Sequence, residues 1–329
     1  MQTRRVLTKE LMLGVIVALF IIFLSLTTRF FSISGLFSLM LDVSPTIVGT
    51  IAMTLIIFTG NIDISAGTIM GFVAYASADL ARAGVPMIVF VPAGLLVGVV
   101  LAGLNGYITV QFKVPSIVVT LAMNMVHIGF FATFLPNSGW IEGVPTSFTW
   151  FGNGRLFGLV PYVFLVTVAV TALFMFIMKY SRFGKGLYAV GGSQQAAALA
   201  GISPDRTVFR VFLFEGLLLG VAALLKAMAT TNDVLPSTFQ GREMILIAGA
   251  VVGGVGIFGG TGKIIGAVYG AILVYLLSVT MIYLGFQDYY QFALQGIIIL
   301  LAVYLTVVDL KKVRRRLRHI FAHTGAKGR

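Results

Sequence analysis

The chain has 329 residues, of which 58% are apolar and only 10% are charged, and its formal net charge is +12. A soluble domain has about 45–50% apolar and about 25% charged residues, so this composition excludes a water-soluble enzyme and a disordered chain. The mean hydropathy of +1.01 indicates a protein that folds in a bilayer. With no cysteine and three scattered histidines, we expect no disulfide, no thiolate chemistry, no cofactor and no metal site.

A membrane-spanning helix needs roughly 17–25 predominantly apolar residues. We predict an all-α, polytopic membrane helix bundle of about ten transmembrane helices. The predicted spans are about 10–28, 36–60, 65–83, 86–111, 115–135, 159–179, 210–231, 243–258, 263–285 and 288–310. Pro45 predicts a kink or break in the second span. We expect the first span to be an uncleaved helix, because it is long and lacks a small-x-small cleavage site.

The distribution of lysine and arginine predicts the orientation of the bundle. With the N-terminus inside, eighteen of the 23 basic residues lie on the cytoplasmic side, whereas Arg29, Arg82, Arg155 and Arg242 lie outside. The positive-inside rule therefore places both termini in the cytoplasm. The basic tail, 311–329, is expected to face anionic lipid, which argues against nucleic-acid binding.

Few ionisable residues lie within the predicted spans. Asp42 is in the second span, and Glu215 and Lys226 are in the seventh. We expect Glu215 to meet Arg210 or Arg182 at the cytoplasmic edge, and Lys226 to snorkel outward. Proton-driven carriers place several carboxylates at mid-depth, so this scarcity argues against secondary transport.

The chain also lacks a phosphate-binding loop. The nearest match, Gly256 to Lys263, has one residue too many between its glycines, and Ile264 follows the lysine. We therefore expect no nucleotide hydrolysis by this route. A membrane enzyme needs acids clustered with His or Lys at one interface, and the sequence has no such cluster.

The longest predicted inside loop covers residues 180–210. Ser193 is expected to cap a short helix that continues through the alanines that follow it and ends at Gly201. This helix is too brief and too polar to span the membrane, so we place it on the cytoplasmic face. It is either an ordinary surface helix or, because its side chains are small, a docking site for another protein.

The connection at 60–67 places Asn61, Asp63 and Ser65 at alternate positions. Ser65 or Asp63 is expected to cap the next helix, and a gating role is the alternative. Similar spacing later in the chain hints at an internal repeat with two small-residue faces. The two sets are Phe58, Gly60, Gly67 and Gly71, and Phe258, Gly260, Gly266 and Gly270.

A passage for a polar solute needs polar groups inside the bundle. Interhelical hydrogen bonding is the alternative role for each such residue. The candidates are Asn105, Thr120, Asn124, His127, Gln291 and Gln295.

Two stretches resemble the permease subunits of bacterial ATP-binding-cassette (ABC) sugar importers, the group that handles ribose, galactose, arabinose, xylose, rhamnose and the autoinducer-2 signal. Residues 60–68, GNIDISAGT, are similar to the family pattern GGIDLSVGS. Residues 182–192, RFGKGLYAVGG, match a second pattern together with Ala196-Ala197 and Gly201-Ile202. A weaker match lies at 252–262, and the resemblance covers roughly residues 35 to 310.

The resemblance implies a single permease domain, 1–329, in the bacterial inner membrane, with no catalytic role. It implies a second permease subunit, in a homodimer or heterodimer, a separate ABC ATPase subunit and a periplasmic substrate-binding protein. It also implies import of a ribose-type monosaccharide or autoinducer-2; the alternative is a self-sufficient carrier or channel.

The resemblance assigns residues to two roles. Those of the first motif are Gly60, Asn61, Asp63, Ser65 and Gly67. Those of the ATPase-coupling loop, 180–210, are Arg182, Gly184, Gln195, Ala196, Ala197, Leu199, Gly201 and Ile202. The chain departs from the family at Asn61, which replaces a glycine, and at Gln194-Gln195, where many relatives have an acidic residue.

Overall fold

The structure, a computed structural model, describes residues 33–230 and 232–285, together with single positions within 13–22 and 290–304. Helices dominate this part of the chain. They are α1 (Ile33–Phe58), α2 (Ala66–Arg82), α3 (Met87–Gln111), α4 (Ser116–Phe134), α5 (Thr146–Asn153), α6 (Tyr162–Tyr180), α7 (Arg182–Gly192), α8 (Gln194–Leu199), α9 (Pro204–Met228), α10 (Arg242–Val252) and α11 (Ile264–Tyr283). A small antiparallel hairpin joins β1 (Arg155–Leu156) to β2 (Val160–Pro161).

Six helices of the described part are long and apolar enough to cross a membrane: α1, α3, α4, α6, α9 and α11. This confirms the all-α membrane bundle. The predicted spans at 10–28 and 288–310, and the basic tail, lie wholly or mostly outside the described residues. Two further predicted spans, 65–83 and 243–258, correspond to α2 and α10, which are not among the six. The count of about ten spans and the cytoplasmic placement of both termini stay predictions.

The helix bounds correct the sequence prediction in four places. Helix α10 ends at Val252, whereas the predicted span reaches residue 258. Helix α1 runs through Pro45 as one element, so of the predicted kink or break, the break is wrong. Helix α9 begins at Pro204 rather than near residue 210, because Ser203 caps it and proline suits the first helical position. Helix α7 was not predicted within the 180–210 loop.

Two helices form the centre of the bundle. In α1 and α9, 89% and 67% of the membrane-length window is buried, against 22% in α6. Helix α9 packs along α3 and α1, and α11 packs against α10 and α1. The peripheral helices α3, α4 and α6 therefore present apolar side chains outward, as expected for surfaces that meet lipid.

Glycine allows the closest helix contacts. Gly98 of α3 and Gly216 of α9 face each other so closely that a β-carbon on either would overlap the other's carbonyl oxygen. Gly253 and Gly266 make the same kind of contact where α10 approaches α11. Without a hydrophobic driving force between helices in lipid, such close backbone packing is a main source of association.

A short 3-10 turn, Pro236–Phe239, packs against the small-residue face of α2. A β-carbon at Gly71 would lie 3.1 Å from the carbonyl oxygen of Pro236, and one at Gly67 would overlap that of Phe239. The predicted face at Gly67 and Gly71 is thus a contact surface. It receives irregular backbone, which is tolerated at membrane depth only where protein covers it.

Candidate functional site

The first motif forms a buried turn between α1 and α2. Asp63 and Ser65 are fully buried, and one carboxylate oxygen of Asp63 accepts both the N–H and the hydroxyl of Ser65, each at 2.6 Å. Ser65 occupies the N-cap of α2 but makes no side-chain cap bond, so the predicted capping role is wrong. The carboxylate instead holds the turn in shape.

Two neighbouring helices bind the backbone of this turn. The Ser116 hydroxyl of α4 accepts the N–H of Ile62 at 3.1 Å. One turn further along α4, the Thr120 hydroxyl accepts the N–H of Ile64 at 3.0 Å. From α3, the Asn105 side chain donates to the Ser65 hydroxyl at 2.8 Å. Because α3 and α4 both hold the turn, a shift of either helix must disturb it.

His127 extends the same set of contacts along α4. Its Nδ1 lies 3.0 Å from the Thr68 hydroxyl, which itself donates to the Ser65 carbonyl at 2.9 Å. We call the connected set the interior polar network; its members are Asp63, Ser65, Thr68, Asn105, Ser116, Thr120 and His127.

The structure therefore brings two predicted groups together. Asn105, Thr120 and His127, selected as path residues, bind the motif at 60–68. Each is at most 3% exposed, and Asn124 on α4 is 7% exposed, so in this conformation they are core residues. The other two path candidates, Gln291 and Gln295, lie outside the described residues.

Among the described residues, three carboxylates are buried inside the bundle: Asp63, Glu215 and Glu243. Both carboxylate oxygens of Glu215 lack a hydrogen-bond partner among the described residues, so the predicted pairing with Arg210 or Arg182 is wrong. Glu243 lies in the first turn of α10 and reaches Gly67, four residues after Asp63. The sequence analysis did not identify Glu243 as a site residue. The one sequence feature that points to it is an acidic residue at the start of a short apolar segment.

Lys226 forms an ion pair, whereas the sequence predicts only that it extends outward. Its ammonium nitrogen lies 3.3 Å from a carboxylate oxygen of Asp42 on α1, and both side chains are partly exposed. This pair joins the two central helices towards the ends opposite the first motif. Among the described residues, no group of three or more His, Asp or Glu side chains is placed to hold a metal ion.

The predicted short helix exists as α8. The Ser193 hydroxyl accepts the N–H of Ala196 at 3.2 Å, and Gly201 follows the helix with a φ of +79°. Ala197 is buried, whereas Leu199 is 92% exposed. Gln194, Gln195 and Ala196 are exposed as well. The surface of α8 is therefore small and polar around one projecting leucine.

Helix α7 precedes α8 and fixes its position. Ser181 caps α7 by accepting the N–H of Gly184 at 3.0 Å. A β-carbon at Gly184 would lie 2.5 Å from the carbonyl oxygen of Met178, so glycine permits the sharp turn from α6 into α7. After α8, the N–H of Ile202 returns to the carbonyl of Ala197 at 2.9 Å. Arg182 lies at the start of α7 and is exposed.

The end of α7 contacts two distant turns. The N–H of Gly260 donates to the carbonyl of Phe58 at 3.0 Å, and Gly191 fits directly between these two turns. The Tyr188 ring lies 4.9 Å from that of Phe58. The two halves of the predicted repeat thus meet at their turns. We call this contact the glycine joint; it comprises 58–60, 188–192 and 258–262.

Tyr188 is the polar anchor of the glycine joint. Its hydroxyl donates to the carbonyl of Gly262 at 2.9 Å. Burial raises the pKa of Tyr188 to about 12, so the hydroxyl keeps its proton and remains a donor over the physiological range. The bond links the segment that leads into α8 to the turn before α11.

Comparisons with known proteins agree with this arrangement. A family model described as "Branched-chain amino acid transport system / permease component" matches residues 35–303. The ribose import permease protein RbsC of Escherichia coli (strain K12) is 30% identical over 314 residues, which cover 94% of this chain and 96% of that protein. The chain belongs to the permease family of bacterial ABC-type sugar importers.

Further relatives of this permease have other named substrates. The L-arabinose ABC transporter permease protein AraH of Azospirillum brasilense is 30% identical over 302 residues, covering 88% of this chain and 86% of that protein. The autoinducer 2 import system permease protein LsrC of Yersinia pseudotuberculosis is 30% identical over 251 residues, covering 76% and 70%. No solved structure matches the chain significantly. Family membership and the apolar helices identify a multi-pass inner-membrane protein, and its relatives are non-catalytic transport subunits.

Proposed function

We propose that this permease is the translocation subunit of an ABC importer that moves a ribose-type monosaccharide or autoinducer-2 into the cytoplasm. Hydrolysis of ATP takes place on a separate ATPase subunit. A periplasmic binding protein delivers the solute, and two permease subunits form the passage. The 30% identity to ribose, arabinose and autoinducer-2 permeases supports this class of substrate.

The observation that supports the coupling role best is the continuity from α8 to the glycine joint. Leu199 projects from α8, and α7 directly before it contacts Phe58 and Gly260. A partner that pulls α8 therefore acts on the turns after α1 and before α11. The turn after α1 continues through residues 61–65, where it meets the interior polar network. The first motif acts as a gate in this proposal, because it responds to α7 and rests on α3 and α4.

The path for the solute opens between α3, α4 and α9 when the ATPase closes. Asn105, Asn124 and His127 are buried in the present conformation, so they meet the solute only after the helices separate. Alternating access by relative motion of packed helices is the general behaviour of such machines. The interior polar network supplies the hydroxyl and amide groups that a sugar needs on its way.

Paired variants of exposed leucines test the coupling role. Leu199→Asp should abolish co-purification of the ATPase subunit and ATP-driven uptake, because a charge replaces the projecting apolar side chain of α8. Leu156→Asp is the matched control, since Leu156 is also exposed but lies in the hairpin between α5 and α6. Normal uptake by Leu199→Asp, with folding verified, contradicts the docking role of α8.

The three buried carboxylates favour a second candidate, a self-sufficient proton-driven carrier. Asp63, Glu215 and Glu243 occupy the interior, where carriers place their proton-binding groups. In that case Glu215→Gln should abolish uptake that a proton gradient drives in vesicles without an ATPase. The importer proposal predicts that such vesicles show no uptake before the substitution either.

A further inference from the structure

A cavity of about 300 Å³ lies between the first turns of α7 and α9, beside the exit from α8. Three of its lining residues are arginines: Arg182 from α7, and Arg206 and Arg210 from α9. Arg206 and Arg210 are four residues apart, so they lie on one face of α9. The hydroxyl residues Ser203 and Thr207 also line the cavity, and no carboxylate from the described residues does. The cavity therefore has the chemistry of an anion site.

The three arginines have no acidic partner in the described part of the chain. The neighbouring carboxylate, Asp205, instead binds Lys113 at 2.6 Å. All three guanidinium groups belong to exposed residues and are free to turn into the cavity. A guanidinium presents donors in a planar fork that matches a phosphate group, and several around one cavity favour a phosphate over a neutral ligand.

The surroundings of the cavity indicate a lipid phosphate. Arg210 precedes residues 211–225, in which the buried Glu215 is the one charged residue, so the cavity lies at the level of the lipid headgroups. Its apolar lining residue Phe183 packs against Phe214, with ring centroids 4.8 Å apart and ring planes tilted by 52°. Phe214 is partly exposed, and Tyr180 at the end of α6 is 58% exposed. An acyl chain has an apolar surface to follow from this cavity into the bilayer.

We propose that this arginine cavity binds the phosphate of an anionic phospholipid of the inner leaflet. The phosphate accepts hydrogen bonds from Arg182, Arg206 and Arg210, and the acyl chains lie along Phe214 and Tyr180. The cavity adjoins the residues that follow α8, so a bound lipid holds the base of the coupling segment against α9. The site does not involve the solute, and it shares Arg182, Gly201 and Ile202 with the residues assigned to the coupling loop, whereas Arg206 and Arg210 belong to the cavity alone.

Lipid titration of the purified full-length permease in neutral detergent tests the site. Phosphatidylglycerol is added while thermal unfolding is recorded, with phosphatidylcholine and inorganic phosphate as parallel arms. Arg206→Gln/Arg210→Gln should weaken the apparent affinity for phosphatidylglycerol on the order of 10-fold, since each basic residue near an anionic lipid contributes to its attraction. Lys185→Gln/Lys263→Gln removes the same charge from exposed positions that do not line the cavity and should leave the affinity near that of the unchanged protein.

The outcomes are distinct. Stabilisation by phosphatidylglycerol that only the arginine variant loses supports the lipid site. Equal stabilisation by inorganic phosphate, with the same dependence on arginine, supports the phosphate site but assigns it to a free ion. An unchanged lipid response in the arginine variant overturns the proposal. A variant that keeps the lipid response but no longer co-purifies with the ATPase subunit also overturns the proposal, because the arginines then bind a protein partner. Should the double variant not fold, Arg206→Gln alone serves, with Lys185→Gln as its control.

Discussion

The interior polar network and the glycine joint hold the same turn after α1 by opposite means. The network holds residues 61–68 with side chains: the hydroxyls of Ser116 and Thr120, the amide of Asn105 and the carboxylate of Asp63. The joint holds residues 58–60 with backbone contacts, where Gly191 fits between two turns. Side-chain hydrogen bonds therefore hold the turn firmly on the side that faces α3 and α4. On the side that faces α7, the backbone contacts tolerate shifts of only a fraction of an ångström. This is a suitable arrangement for a gate that a neighbouring helix moves.

The sharpest way to break the glycine joint is Gly191→Ala. Its β-carbon would overlap the carbonyl oxygen of Phe58, and a backbone group has no side-chain rotation that relieves the clash. We expect a loss of up to about 3 kcal/mol in the free energy of unfolding and a severe loss of uptake. Thermal unfolding and vesicle uptake measure the two effects.

Gly192→Ala is the control for this change, because the adjacent glycine belongs to the same helix but has open space around its β-carbon position. It should be neutral or slightly stabilising, since alanine favours helix more than glycine does. If both substitutions lower stability and uptake equally, the loss comes from the change in helix α7 as a whole and not from the close contact at Gly191.

The interior polar network is broken by Asp63→Leu. This substitution leaves the N–H and hydroxyl of Ser65 without their acceptor in a fully buried site. A buried polar group without a partner costs about 1–3 kcal/mol, and we expect about 2 kcal/mol here. Asp63→Asn keeps an oxygen acceptor and should recover most of the loss in a thermal unfolding assay. If asparagine is as damaging as leucine, the hydrogen bonds to Ser65 do not explain the role of Asp63.

Tyr188→Phe separates packing from hydrogen bonding within the joint. The ring keeps its contact with Phe58, whereas the bond to the Gly262 carbonyl is lost. The expected cost is about 1 kcal/mol in unfolding free energy. Tyr180→Phe is a suitable comparison because Tyr180 is exposed, and it should show no measurable loss. The account is wrong on this point if the two variants unfold at the same temperature.

The smallest effect is expected for the exposed ion pair between Lys113 and Asp205. The two groups are 2.6 Å apart, but their side chains are 66% and 57% exposed. Such pairs contribute about 0.2–1 kcal/mol and are screened by salt. Lys113→Ala should therefore lower stability slightly at low salt and not at all at high salt. A large loss that persists at high salt would mean that this pair holds the turn before α4 in place.

Long apolar runs made the fold largely predictable. Helices α2, α3, α4 and α11 begin and end within about two residues of the predicted spans, because Gly and Pro turns punctuate the sequence there. Helix α7 was missed because its sequence contains four glycines, which lower helix propensity. Tertiary contacts override that propensity, since Gly184 and Gly191 are needed for close backbone approach.

The site was predictable only in part. Polar residues inside apolar spans, such as Asn105, Thr120 and His127, are visible in the sequence, and they do converge. Their shared partner, the turn at 62–68, was not predicted, because a helix that is apolar on every face gives no sign of which side meets its neighbour. Glu215 shows the same limit. It was assigned a surface partner, but the central position of α9 buries it.

The central claim is that the energy for transport comes from a separate ATPase subunit, and uptake into sealed vesicles tests this claim most directly. Permease vesicles are prepared with and without the ATPase subunit, in the presence of the substrate-binding protein and radiolabelled ribose or autoinducer-2, and ATP is supplied on the cytoplasmic face. The account predicts accumulation only when both the ATPase subunit and ATP are present, and none with Leu199→Asp. Accumulation by the permease alone, without ATP, would contradict it.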